Sequence, residues 1–185
     1  MSNWFNLVFG VPSPTPTQET VPTIGRRLDM PTGDRRDVGA NIEEILAAST
    51  FDLVNEYRRS IGLHPVVRNA QIDRLCKQHC LYMYTSRDIS HAGFQTIRGP
   101  AVREMGFTNS LPTENIAGGE CESWRYSQNQ ASYVANQCLE GWLNSTAGHA
   151  ENIRTRSHVV SGIGCVVRPT TDDLLECFVV QIFGS

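Results

Sequence analysis

Residues 141–153, GWLNSTAGHAENI, close one helix, turn at Gly148, present His149 and begin a second short helix within thirteen residues. Glycine is the residue that lets a chain leave a helix through a left-handed turn. A histidine behind a glycine is weak evidence by itself, but two other short stretches give it company. ISHAG supplies His91 and TENIAGG supplies Glu114. Two imidazoles and one carboxylate, delivered from the ends of separate elements, are the raw material of a divalent-metal site or a proton-transfer site. The same three side chains also suit a hydrogen-bonded knot that fixes loops to a core, since buried polar groups must be paired.

Outward from that stretch, the chain reads as alternating helices and short strands. Tyr133, Val134, Cys138, Leu139 and Trp142 share one face of a helix predicted over 130–145. Asn144-Ser145-Thr146 is formally a glycosylation sequon, yet at this place it reads as a helix terminus. Upstream, apolar residues recur at helical spacing from Ile42 to Ile61, with Asn41 as the expected cap and Gly62 and Pro65 as the stop. Asn69 opens a second helix that runs to about Ser86. Cys76, His79 and Cys80 on that helix look like ligand spacing, but one helix face supplies too few ligands, and core packing is the expectation. A short helix is expected around Pro100–Met105, TENIA reads as a compact turn or strand, and residues 120–129 read as loop.

Downstream, residues 158–167 and 174–183 read as a hairpin turned on TTDD. Centring that turn on Thr171 places Cys165 opposite Cys177, which predicts a cross-strand disulfide. Six cysteines are compatible with three disulfides and equally with none. The architecture expected is α+β: a three-layer α-β-α sandwich with a small, mainly antiparallel sheet.

Residues 1–40 do not read as part of that domain, which is expected to span 41–185. WFNLVFG is followed by proline at 12, 14, 16 and 22, a composition that gives an extended arm and no packed core. Trp4, Phe5 and Phe9 are the expected anchors, either to a protein partner or larger assembly, or back onto the chain's own domain. The opening residues lack a basic region and a cleavage site, so they do not read as a secretory signal. A net charge of −3 provides no field for nucleic acid, and no apolar run is long enough to span a bilayer.

NEYRRSIGLHPVVRN, SHAG, the following Arg98, TENIAGG, and W-L-N-S-x-x-G-H-x-x-N-I before SGIG together resemble the CAP superfamily of cysteine-rich secretory, antigen 5 and pathogenesis-related proteins. The resemblance covers about residues 48–184 and is nearest the bacterial type. It implies a cleft holding two histidines and two acidic residues. By motif His91, Glu114 and His149 carry over, while the second acid falls on Ser145, with Asn115 and Asn152 as cleft neighbours. Glu140 and Glu151 lie nearby, but Glu151 is two residues past His149 and is expected to face away.

Three readings of the triad follow: a metal site with zinc as the cofactor candidate, a structural knot, and a hydrolytic centre. At the level of the whole protein, the first expectation is a non-catalytic binding module, extracellular or part of a virion-type assembly. It would be tethered by its arm, with a lipid or cell-surface ligand in view. The alternative is a metal-dependent hydrolase acting on peptide or cell-envelope material.

Overall fold

The computed structural model describes residues 6–8, 37–121, 127–170 and 175–185, with side chains described for all but 6–8, 37–41, 121, 127–130 and 169. In chain order the elements are β1 Asn6–Val8, α1 Asp37–Ser60, β2 Val67–Arg68, α2 Ala70–Ser86, α3 Gly99–Glu104, β3 Thr113–Cys121, α4 Ser127–Leu143, α5 His149–Arg154, β4 Val160–Pro169 and β5 Leu175–Gly184. A wide helical turn, Phe94–Arg98, leads into α3. The sheet order is β1-β3-β5-β4-β2, antiparallel throughout except for the β2–β4 pair.

Strand parity builds the three layers. Odd positions such as Ala117, Ile163, Cys165, Cys177, Val179 and Phe183 face α1, α4 and α5 in one core. Even positions such as Ile116, Val166, Phe178, Val180 and Ile182 face α2 and α3 in the other. Both faces of β5 are therefore buried, and its run of apolar residues is that of a central strand. The sandwich expected from the sequence is the fold observed. TENIA belongs to a nine-residue strand, and α1 begins at Asp37, ahead of the expected cap at Asn41. The short pairings of β1 and β2 carry no sequence period and were not anticipated.

The predicted Cys165–Cys177 disulfide is incorrect. The hairpin register pairs Cys165 with Val179 and Cys177 with Val167. The expected turn centre was one residue too early, which offsets the two cysteines by two positions. Such diagonal neighbours lie about 7–8 Å apart, beyond the reach of a disulfide. Cys76, Cys80, Cys138, Cys165 and Cys177 are all free and buried.

Glycine decides how closely α2 lies on the sheet. A Cβ at Gly164 would sit 2.3 Å from the Lys77 nitrogen, and one at Gly162 2.5 Å from that of Asp73. The Cys76 thiol donates to the Gly162 carbonyl at 3.3 Å and the Cys80 thiol to that of Gly164 at 3.1 Å. These cysteines pack the core, as expected, and burial pushes both thiols up. Gly164→Ala is expected to displace α2 and to destabilise the protein by about 1–3 kcal/mol, which urea unfolding would measure.

Arg58, buried near the end of α1, carries the fold toward the site. It donates to the carbonyls of His64 at 3.0 Å, Ile153 at 2.6 Å, Thr155 at 3.0 Å and His158 at 3.2 Å. Those bonds tie the C-terminus of α5 to α1 and so fix the helix that opens with His149.

Candidate functional site

β3 divides the site between the two layers. Glu114 reaches toward the α2–α3 side and Asn115, one residue on, toward α5. The Asn115 amide donates to the His149 carbonyl at 3.1 Å, and the Asn152 amide donates to the Glu114 carbonyl at 3.2 Å and to Asn115 Oδ1 at 2.8 Å. The Trp142 indole donates to the Ile116 carbonyl at 2.9 Å. The open edge of β3 is thereby pinned by α4 and α5, the elements that GWLNSTAGHAENI joins.

Gly148, at φ 88°, makes the turn that puts His149 first in α5. On the other side, His79 holds the Ser90 carbonyl through Nε2 at 2.7 Å and so seats the loop carrying His91. His91 Nδ1 lies 2.9 Å from Glu114 Oε1. Arg98 grips the same carboxylate with two bonds, Nε to Oε2 at 2.7 Å and Nη2 to Oε1 at 2.8 Å, and donates through Nη1 to the Ala92 carbonyl at 2.8 Å. Burial pushes the Glu114 carboxyl up, but the bonds from His91 and Arg98 outweigh it and hold the group below its ordinary value.

The two imidazoles face each other, Nε2 to Nε2, at 3.5 Å, and His149 Nδ1 lies 3.0 Å from Ser145 Oγ. Burial, followed by the nearby His91, lowers His149 to a pKa of about 4. His149 is 1% exposed whereas the His91 side chain is 41% exposed, so the site opens to solvent at His91. A cleft of about 550 Å³ begins there and is bounded by Phe94, Pro100, Arg103, Leu111 and Asn152.

The structure thus brings together His91, Glu114 and His149, with Ser145, Asn115 and Asn152 around them. Glu151 is exposed, as its spacing predicted, and Glu140 is exposed as well. The proposed anchors Trp4, Phe5 and Phe9 lie outside the described residues; Asn6–Val8 between the anchors pair with β3. Sequence reasoning placed His79 in the core packing of α2 and named Arg98 only among the motifs of the resemblance; it gave neither a place in the site. For Arg98 the available signal was an arginine closing FQTIR, a stretch with no acid of its own to pair with.

A chain of complementary donors and acceptors runs through the site. The Ser145 hydroxyl donates to His149 Nδ1, His149 Nε2–H points at His91 Nε2, and His91 Nδ1–H donates to Glu114. In this tautomer assignment every polar group of the triad has a partner. Glu114, on the far ring nitrogen of His91 and clasped by Arg98, does not converge with the two Nε2 atoms. Among the described residues no three His, Cys, Asp or Glu side chains are disposed to share a metal ion.

Residues 51–183 match the family described as CAP, cysteine-rich secretory protein. This chain belongs to that family. The CAP fold is also seen in solved structures. An extracellular SCP-domain protein from Bacillus anthracis superposes with a TM-score of 0.58 at 24% identity, over 83% of this chain and 45% of that one. The CAP domain of enterococcal PrgA gives 0.54 at 18% identity, over 79% of this chain and 63% of the other. An outer surface protein from Borrelia burgdorferi gives 0.52 at 21%, over 73% and 88%. The CAP chain therefore spans less than half of the Bacillus protein and under two thirds of the PrgA chain. No curated protein matches it. No helix among the described residues is long and apolar enough to cross a membrane.

Proposed function

We propose that this protein is a non-catalytic CAP binding module that works outside the cell or at a surface. Its cleft receives the ligand, and His91, Glu114 and His149 hold the cleft wall in shape. The observation that supports this reading is the fate of Glu114: both carboxylate oxygens are taken by Arg98, one of them also by His91. With Ser145 at the position of a second acid, the triad offers no free carboxylate to act as a general base. The extracellular and surface-protein relatives support the location. Residues 1–40 serve as the tether in this reading, on their composition alone.

A second reading rests on the imidazole pair. If Ser145 accepts from His149 Nδ1–H instead of donating, two Nε2 lone pairs face each other across 3.5 Å. Two imidazoles on one tetrahedral zinc would stand about 3.4 Å apart, given Zn–N bonds of about 2.0–2.1 Å. His91 and His149 would then hold the ion, with Glu114 and Ser145 orienting their rings from behind. Zinc bound there would supply Lewis-acid chemistry and an activated water, the route to a hydrolase acting on peptide or cell-envelope material.

Calorimetric zinc titration of the full chain separates the two. The expected result is no binding at micromolar zinc, with His91→Ala and His149→Ala both lowering stability. Binding at micromolar affinity or tighter, lost in both variants, would replace the knot by a metal centre.

A further inference from the structure

We propose that the cleft captures the C-terminal end of a peptide, with its free carboxylate on Arg103 and its last apolar side chain against Phe94, Pro100 and Leu111. The inference rests on the binding-module reading and names the chemistry of what that module binds. Charge selects the anion. Among the described residues, two charged groups line the cleft, Glu114 and Arg103. Glu114 is already neutralised by the buried Arg98 guanidinium. Arg103 is exposed, and among the described residues no carboxylate pairs with it. The lining therefore carries one unmatched positive charge, set in a guanidinium fork suited to a carboxylate.

The remaining lining indicates what the carboxylate is attached to. Leu111 is 71% exposed on the cleft rim, an apolar surface that an apolar side chain would cover. Among the described residues, Gln95, exposed on the same wall, has neither end of its amide bonded, and Asn152 uses its donor but not its acceptor. A hydrocarbon chain laid there would strip water from these amides and return no hydrogen bond. A peptide backbone offers both a donor and an acceptor in their place. Capture of a peptide's C-terminal carboxylate is a recurrent recognition mode, and a guanidinium fork is one of the groups that fit a carboxylate.

The test is titration of the full chain with acetyl-Gly-Ala-Leu as the free acid and as the C-terminal amide, on the wild type, Arg103→Gln and Leu111→Asp. Both positions are exposed, so circular dichroism should report an unchanged fold. The acid is expected to bind at least tenfold more tightly than the amide. That preference should vanish in Arg103→Gln, and Leu111→Asp should weaken both ligands. Equal binding of acid and amide, still sensitive to Leu111→Asp, overturns carboxylate capture and leaves the binding module standing. Arg103-dependent binding of dodecanoate without binding of either peptide overturns the peptide as the source of the carboxylate. Failure of all three probes to bind overturns the proposal together with the use of this cleft as a binding site.

Discussion

Glu114→Gln is expected to destabilise the protein by about 3–5 kcal/mol, the range for removing one partner of a buried ion pair. The Glu114 side chain is 0% exposed and that of Arg98 8%, so the guanidinium left behind would be a charge with no counter-ion and little water. Glutamine keeps the shape and one acceptor but cannot answer two guanidinium bonds and the imidazole together. Urea unfolding at pH 7.5 measures the loss, seen as a lower midpoint at unchanged slope. Arg98→Met alone should be similarly harmful. The double variant Arg98→Met with Glu114→Met should recover much of the stability, because the cost lies in the orphaned charge rather than in the pair itself. If Glu114→Gln costs under about 1 kcal/mol, the knot is not what holds this wall of the cleft.

This clamp also marks the limit of what the sequence disclosed. The three layers were legible because strand parity and helical spacing are local: Cys138, Leu139 and Trp142 announce one face of α4 wherever the helix lies. The triad was legible because SHAG, TENIAGG and the GHAENI turn are short motifs that resemble known ones. Its internal geometry was not. Whether Glu114 faces the space between two imidazoles or turns back onto Arg98 depends on TENIA being strand and not turn, which its sequence left open, and on the wide turn Phe94–Arg98, which has no sequence period. The hairpin register failed for a related reason. A turn centre misplaced by one residue moves each cross-strand partner by two, so Cys165 meets Val179 and not Cys177.

Acid should unfold this protein in two stages, beginning with its histidines. His158 is 1% exposed, stacked on Phe183 at 5.4 Å, with Nδ1 2.9 Å from Ser185 Oγ and Nε2 3.0 Å from Thr113 Oγ1. Burial, reinforced by the charge of Arg58, lowers its pKa to about 4 from 6.5. As pH falls, the unfolded chain takes up the proton first, so the stability due to the neutral ring is complete above about pH 6.5. It is lost progressively down to about pH 4 and falls no further below that. The total is about 3 kcal/mol, of which about 1.4 kcal/mol is gone by pH 5.5. His149, lowered to about 4 as well, contributes a loss of similar size over the same window. Glu114 has the opposite chemistry but the same sense: its carboxyl is held below 4.5, so its contribution is lost only under more acidic conditions. Urea midpoints at pH 7.5, 5.5 and 4.5 should therefore drop steeply across the first interval, before any carboxylate is engaged. His158→Gln should lower stability at pH 7.5 and flatten that drop by less than half, since His149 and His79, both also lowered by burial, still titrate. A profile that stays level to pH 4.5 would mean that the folded protein takes up these protons as readily as the unfolded chain does. The relay from Ser145 through His149 to Glu114 would then hold only above about pH 6.5, with a charged imidazole at its centre below it.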